Sequence, residues 1–214
     1  PTMAMVSDPQ SALVIGGGDG GTITELVKYP SLKSITLCEI DGEVVSTCEK
    51  FFPEISSGLA DPRVKVVCLD GAAYVKQFRE EFDVILIDST DPVGPGKALY
   101  ELDFYQSVKK ALKKGGVATF QTESPMFMSD VFADTVKNLR SVFGQECACP
   151  YLCVIPSYPG GLWSFTSCSP GAKDFSDPLG NLAEDLLESL NYYSAQVHRA
   201  AFVLPNFVRR LIAS

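Results

Sequence analysis

Histidine and tryptophan are nearly absent from this sequence, which has only His198 and Trp163 among 214 residues. Its seven cysteines form no C-x-x-C pair, and a single histidine leaves Cys147 and Cys149 without partners for a zinc site. The cysteines are odd in number and lie mostly within apolar runs. They therefore predict reduced thiols in a cytoplasmic protein, with no metal and no tightly bound cofactor.

Long apolar runs and an excess of positive charge are also lacking. No run approaches the roughly 20 apolar residues of a membrane helix, and residues 1–10 show no secretory signal pattern. The formal net charge is −8, whereas nucleic acid phosphates need a basic surface. We therefore expect neither a membrane nor nucleic acid as a partner, while a cationic small substrate is compatible with the charge. The chain begins with proline rather than methionine, so we expect a fragment of a longer protein.

Strand-like and helix-like segments alternate along most of the chain. Apolar runs of strand length lie at 12–16, 34–38, 64–69, 83–88 and 116–121, with helical patterns at 21–29, 42–52, 71–81 and 103–114. We expect Lys113, Lys114 and the two glycines after them to end the last of these helices. Further on, the patterns predict a helix at 129–143, strands at 147–155 and 162–168, a helix near 181–195, and a segment at 202–208 that packs on the body.

This alternation predicts an α/β fold in a single domain spanning residues 1–214. The sheet is expected to be Rossmann-like, doubly wound and mostly parallel, with about seven strands. The last two strands are expected to form an antiparallel edge hairpin around Pro156–Gly161.

A glycine-rich loop follows the first predicted strand. Gly16, Gly18 and Gly21 match the G-x-G-x-x-G spacing of a nucleotide-binding turn, with Asp19 and Gly20 inside it. The missing side chains allow the backbone to approach a ligand closely. The pattern alone also fits glycine turns that bind nothing, so the residues at the next strand ends decide its meaning.

Each of the first four predicted strands ends at or beside a carboxylate. These are Asp19, Glu39, Asp70 and Asp88, with Asp91 three residues further on. Glu39 lies about 20 residues past the glycine loop, where an acid accepts hydrogen bonds from ribose hydroxyls. Asp70 is suited to accept from the adenine amine. The alternative is that the acids simply cap the following helices.

The charge of this predicted adenosine site points to a cationic ligand. Asp19 would repel the phosphates of a dinucleotide or of ATP, whereas a sulfonium nucleoside brings positive charge. Decarboxylated S-adenosylmethionine carries a sulfonium and an ammonium, so it fits an acidic crevice best. Intact S-adenosylmethionine, and hence a methyltransferase, stays an open alternative at this point.

An aminopropyl donor requires an amine acceptor that loses a proton. Alkylamines have a pKa of about 10 and aspartate a pKa of about 4. Burial narrows this difference because it lowers the pKa of the amine and raises the pKa of the aspartate. Asp88, at a rigid strand end, suits the base, and Asp91 suits a hold on the far ammonium. The Pro- and Gly-rich loop at 92–96 predicts a lid over the site, or else an ordinary turn.

These residues resemble the spermidine synthases of the polyamine aminopropyltransferase family. The resemblance covers essentially the whole chain, and its motifs lie at 16–21, 38–41, 69–71, 87–95, 155–161 and 197–202. It implies Asp88 as the proton acceptor and Asp91 as a diamine ligand. It implies that a further set of residues surrounds decarboxylated S-adenosylmethionine or the methylthioadenosine product: Gly16, Gly18, Asp19, Gly20, Glu39, Asp70, Gly71 and Pro95. It also places Tyr158 and Glu123 at the diamine, expected to be putrescine, and implies a homodimer or homotetramer.

Two departures from the family pattern are visible. Thr122 stands where the family usually has glycine, and the family's small N-terminal β domain is absent from this chain. A catalytically silent binding module is therefore a further alternative. The acceptor is also open among putrescine, cadaverine, agmatine and spermidine.

Overall fold

The computed structural model describes residues 1–171, 173–180 and 182–213. These form one seven-stranded sheet whose spatial order is β3-β2-β1-β4-β5-β7-β6. The strands are β1 (Ser11–Gly16), β2 (Ser34–Glu39), β3 (Val64–Cys68), β4 (Phe82–Asp88), β5 (Leu112–Gln121), β6 (Ala148–Val154) and β7 (Leu162–Cys168). The first five are parallel, and β7 pairs antiparallel with both β5 and β6. The predicted fold and edge hairpin are confirmed.

Helices cover both faces of the sheet. They are α1 (Gly21–Leu26), α2 (Gly42–Phe51), α3 (Pro53–Ser56), α4 (Gly71–Val75), α5 (Leu102–Ala111), α6 (Ser129–Phe143), α7 (Glu184–Ser189), α8 (Ala195–Ala201) and α9 (Asn206–Leu211). Alternate residues of β1 serve different faces, as strand geometry requires. Leu13 and Ile15 join a core with α4, α5 and α6, whereas Ala12 and Val14 join a core with α1 and α2.

The strand order reverses between β1 and β4, which lie side by side in the middle of the sheet. Their last residues, Gly16 and Asp88, are direct neighbours in the register. Open α/β sheets bind ligands outside the carboxyl ends of the strands at such a point. The fold therefore brings the glycine loop and Asp88 to the mouth of one crevice.

The end of the predicted helix at 103–114 was wrong. Helix α5 stops at Ala111, and Lys113 to Gly116 belong to β5, where Lys113 pairs with Asp83 of β4 at 2.9 Å. The register between the two strands advances by two residues on β4 but by five on β5. The extra β5 residues form an irregularity in the pairing, and Gly115 within it has a φ of +82°. The cations at the end of α5 are Lys109 and Lys110.

The other helices also differ in length from the sequence patterns. Helix α4 covers Gly71–Val75 of the predicted 71–81, and α7 covers Glu184–Ser189 of the predicted 181–195, of which residue 181 lies outside the described residues. The segment at 202–208 packs on the body through Phe202 and Val208, as predicted. Across the three described ranges, no helix combines the length and apolar character that crossing a bilayer requires.

Candidate functional site

The glycine loop after β1 is packed directly against the end of β4. Gly16, Gly17 and Gly20 have φ angles of +81°, +68° and +80°, which side chains other than glycine rarely adopt. A Cβ on Gly16 would lie 2.1 Å from the carbonyl oxygen of Asp88, and one on Gly17 would lie 2.7 Å from its Oδ2. Glycine is therefore required here for the loop to reach the Asp88 carboxylate.

Glu39 holds the other side of the loop. The backbone N–H of Gly18 donates to its Oε2 at 3.1 Å, and that of Asp41 donates to its Oε1 at 3.0 Å. A Cβ on Gly18 would lie 2.8 Å from the Glu39 Cγ. Two backbone donors thus orient this carboxylate across the loop, where sequence reasoning expects it to meet a ribose.

Asp19 and Asp70 each accept from the start of the following helix. Oδ1 of Asp19 accepts from the Gly21 N–H at 2.9 Å, and Oδ1 of Asp70 accepts from the Ala72 N–H at 2.8 Å. Capping of the following helix thus occupies one of the two carboxylate oxygens of each acid. Since a carboxylate has a second oxygen, capping and ligand binding are compatible at both positions.

Gly71 and Pro95 stand differently from the acids. A Cβ on Gly71 would lie 2.3 Å from Cγ2 of Ile15, so close packing of α4 on β1 accounts for the glycine. Pro95 is exposed in the 3₁₀ turn Gly94–Tyr100 that follows Asp91. Their predicted contacts with the donor stay predictions.

Asp88 is the acid at the centre of the crevice. Thr22, in the first turn of α1, donates from Oγ1 to Asp88 Oδ2 at 2.7 Å. The side chain reaches solvent through the crevice, but the surrounding walls desolvate the carboxylate. That desolvation raises the pKa of Asp88, Asp19 and Glu39 raise it further, and the Thr22 hydrogen bond opposes the rise. Asp88 is therefore a stronger base than an ordinary aspartate.

Glu123 and Asp91 form a pair of carboxyl groups just beyond the ends of β5 and β4. Glu123 is buried, and its Oε1 accepts from Tyr100 Oη at 3.2 Å and from Gln121 Nε2 at 3.3 Å. Burial raises the pKa of Glu123 to about 7, and both the charge of Asp91 and a hydrogen bond between the two carboxyl groups contribute. Two neighbouring acids favour sharing one proton.

The backbone of Glu123 is held in an unusual conformation. Its φ is +68°, and its carbonyl oxygen accepts from Ser164 Oγ at 2.6 Å and from Ser164 N at 3.1 Å. Thr122, the departure from the family glycine, is fully buried and its Oγ1 lies 2.8 Å from Ser164 Oγ. The threonine therefore adds a hydrogen bond to β7 on the side of the loop that faces the sheet.

Tyr158 extends from the hairpin loop between β6 and β7 toward the acids. Its ring packs on Trp163 with centroids 4.3 Å apart. Besides burial, four carboxylates raise the pKa of Tyr158: Asp88, Glu123, Asp91 and Asp19. The hairpin loop thus faces the same crevice as the glycine loop. Trp163 is buried behind it, and its indole nitrogen has no hydrogen-bond partner among the described residues.

Cations do not neutralise these acids in the described part of the chain. The ion pairs found there are Lys28–Glu25, Arg63–Asp61, Lys113–Asp83 and Arg199–Asp177. None uses Asp19, Glu39, Asp88, Asp91 or Glu123. Within the same ranges, no group of three or more His, Cys, Asp and Glu side chains has the arrangement of a metal site. The negative charge of these acids is therefore left unpaired by the described residues.

Two cavities differ in their relation to this crevice. One of about 920 Å³ reaches Asp88 and Thr22 at one end and runs over the sheet between α1 and α8, with Tyr151 and Phe165 in its wall. A larger one, of about 1,110 Å³, lies at the opposite end of the sheet beside Lys109 and Lys110. The larger cavity contains none of the five acids, so size does not identify the site here.

The structure also shows site residues that sequence reasoning missed. Thr22 and Tyr100 each donate to an acid of the crevice, and Ser164 holds the Glu123 backbone. Thr22 directly follows the glycine motif, which is a weak signal, whereas nothing in the sequence distinguishes Tyr100. His198 is structural, because its Nε2 lies 2.8 Å from the Phe175 carbonyl and its Nδ1 lies 3.1 Å from Tyr193 Oη.

Fold and site together define a class: a doubly wound α/β domain with an acidic crevice at the switch point of its sheet. A family model described as the spermine/spermidine synthase domain matches residues 1–177. The chain belongs to the spermine/spermidine synthase family, a family of transferases.

Individual relatives agree with this assignment. The chain is 44% identical to a polyamine aminopropyltransferase of Moorella thermoacetica over 206 residues, which cover 96% of this chain and 71% of the relative. It is 41% identical to the enzyme of that name from Bacillus cytotoxicus, covering 96% and 73%.

Two solved structures have the same fold. One is a spermidine synthase in complex with the transition state analogue AdoDATO, with a TM-score of 0.90 and 39% identity over 99% of this chain and 72% of that one. The other is the spermidine synthase of Thermotoga maritima, with a TM-score of 0.87 and 38% identity over 99% and 71%.

Proposed function

We propose that this chain transfers the aminopropyl group of decarboxylated S-adenosylmethionine to putrescine, giving spermidine and methylthioadenosine. The observation that carries the proposal is the group of carboxylates at the switch point, which no cation pairs among the described residues. A donor with a sulfonium and an ammonium, and an acceptor that is a diammonium, match that charge.

The donor would lie along the glycine loop. Glu39, oriented by the N–H groups of Gly18 and Asp41, would accept from the ribose hydroxyls, and Asp70 from the adenine amine. Gly16, Gly17 and Gly20 would let the nucleoside approach the backbone. Asp19 would then face the positive charge of the donor.

The acceptor would lie between Asp88 and the Glu123–Asp91 pair, under Tyr158. The ammonium nitrogen nearest the donor first gives up a proton; the resulting neutral amine attacks the carbon next to the sulfonium, the new N–C bond forms a secondary ammonium, and the S–C bond breaks. The electron pair of that bond returns to sulfur, which leaves as the neutral thioether of methylthioadenosine. The proton from the nitrogen goes to Asp88, whose pKa is raised by burial and by Asp19 and Glu39.

A product assay tests this proposal. The protein is incubated with the decarboxylated donor and, separately, putrescine, cadaverine, agmatine or spermidine, and the products are identified by mass spectrometry. We expect equimolar methylthioadenosine and spermidine with putrescine. Donor binding without product would instead support a silent binding module, and methyl transfer from intact S-adenosylmethionine would support a methyltransferase.

We also propose a cytoplasmic homodimer or homotetramer. All seven cysteines are free, as a reducing compartment allows. The apolar side chains Phe51, Phe52 and Ile55 are 62%, 54% and 46% exposed around α2 and α3, which supports contact with a second copy. Light scattering of the purified protein measures the assembly directly, and a monomer at micromolar concentration would contradict it.

A further inference from the structure

The Tyr100 hydroxyl stands where three segments of the crevice meet. Its Oη lies 3.2 Å from Glu123 Oε1, 3.4 Å from Gln121 Oε1 and 3.3 Å from the carbonyl oxygen of Thr90. A phenol has one proton to donate, and the carboxylate is the strongest of these acceptors when ionised. Tyr100 thus connects the end of β5 to the segment that carries Asp91.

That segment is itself tightly built. A Cβ on Gly96 would lie 2.7 Å from the Asp91 carbonyl oxygen and 2.9 Å from Thr90 Oγ1. The backbone N–H of Val93 also donates to the Asp91 carbonyl at 2.7 Å. The turn is therefore compact, and the hydroxyl of Tyr100 at its far end lies back beside the Thr90 carbonyl. The Tyr100 hydroxyl therefore fixes the Glu123 side chain relative to Asp91, although Tyr100 is not itself one of the two acids.

We propose that Tyr100 is a positioning residue for the acceptor: by donating to Glu123, it holds the carboxyl groups of Glu123 and Asp91 as one seat for the far ammonium of the diamine. This inference rests on the proposed function, which does not itself involve Tyr100. Tyr100 does not touch the reacting atoms. Its effect passes through Glu123.

The charged surroundings of Glu123 determine the sign of the effect. The ionisable groups that act on it are Asp91 and Tyr100, and it acts in turn on Tyr158, which also faces Asp88 and Asp19. Burial and Asp91 raise the pKa of Glu123, and the Tyr100 hydrogen bond lowers it. Loss of the hydroxyl therefore raises this pKa further, and the carboxylate form appears only at higher pH.

The experiment compares Tyr100→Phe with wild type, and Tyr105→Phe serves as the matched control. Tyr105 is a buried core tyrosine of α5 that packs on Phe120, so its substitution also deletes one hydroxyl. For Tyr100→Phe we expect the KM for putrescine to rise about tenfold, since hydrogen bonds to charged groups have at least that worth. The kcat at saturating putrescine should change less. The acidic limb of kcat/KM should move to higher pH, and binding of the decarboxylated donor should stay unchanged.

A second arm separates this inference from the proposed function. Calorimetric titration of putrescine, without turnover, is carried out on wild type, Tyr100→Phe, Glu123→Gln and the double variant. Binding should weaken in each single variant, and the Tyr100 effect should vanish in the Glu123→Gln background.

Each outcome then has one meaning. A wild type that binds putrescine in a Tyr100-dependent manner, yet makes no methylthioadenosine, overturns the proposed function and keeps the inference. Turnover with an unchanged KM, pH limb and putrescine affinity in Tyr100→Phe overturns the inference and keeps the function. A wild type that binds no diamine overturns both.

Discussion

Alanine at Gly16 is the substitution whose cost can be worked out most directly from the geometry of the loop. The residue has a φ of +81°, and an added Cβ would lie 2.1 Å from the Asp88 carbonyl oxygen. Gly115 offers a matched control, because its φ is +82° and an added Cβ meets nothing within 4 Å. Both variants have the same backbone strain, and only Gly16→Ala adds the collision.

The expected magnitudes follow from these two differences. Left-handed strain costs an alanine about 1–2 kcal/mol, offset by about 0.4–1 kcal/mol from the stiffer unfolded chain, so Gly115→Ala should cost about 0–1.6 kcal/mol. The collision in Gly16→Ala forces a backbone shift that adds about 1–3 kcal/mol. In a chain of this size each kcal/mol lowers the melting temperature by roughly 2–4 °C.

Urea unfolding of the two variants and wild type measures the difference in the free energy of unfolding. Calorimetric titration with decarboxylated S-adenosylmethionine measures the effect on the site. We expect Gly16→Ala to be clearly less stable than Gly115→Ala and to lose donor binding, which Gly115→Ala keeps. Equal stability and equal donor binding of the two variants would refute the contact between loop and strand.

Three further substitutions test individual acids. Asp88→Asn should lower turnover by about a hundredfold to ten-thousandfold and spare donor binding, as steady-state assay and calorimetry can show, and retained turnover would reject Asp88 as the base. Glu39→Gln should weaken donor binding by about tenfold or more because ribose loses a charged acceptor, whereas Glu43→Gln on exposed α2 should not; equal affinities would contradict the ribose role. Glu123 has a pKa of about 7 in the fold and an ordinary pKa of 4.5, so between these pH values the native state binds more protons than the unfolded state. The free energy of unfolding therefore falls as pH rises through that window, by roughly 3 kcal/mol at most. Urea unfolding at pH 5 and pH 8 should show this fall reduced in Glu123→Gln, and an identical pH dependence in both proteins would contradict the assignment.

The arrangement of the acids was predictable because a parallel sheet places the carboxyl ends of its strands on one edge. Once residues 12–16, 34–38 and 83–88 are assigned as strands, Asp19, Glu39 and Asp88 must follow at that edge. The register neighbours Gly16 and Asp88 confirm this part of the prediction. Local pattern and topology were sufficient here.

Contacts between distant segments were not predictable in the same way. Lys113 looks like the end of a helix, but its ion pair with Asp83 draws it into β5. Glu123 has a positive φ, and its carbonyl is held by Ser164, 41 residues away in the chain. Tyr100 reaches the same acid from a turn with no pattern of its own. Each depends on packing that only the folded chain brings together.

The central claim is that the crevice accepts cations and rejects anions. A ligand carboxylate about 6 Å from one carboxylate of the crevice, at an effective dielectric constant of about 20, is repelled by roughly 3 kcal/mol. This repulsion corresponds to more than a hundredfold in affinity. Calorimetric titration with decarboxylated and intact S-adenosylmethionine compares ligands that differ only in that carboxylate. The acidic crevice predicts much tighter binding of the decarboxylated donor, and equal or tighter binding of intact S-adenosylmethionine would contradict it.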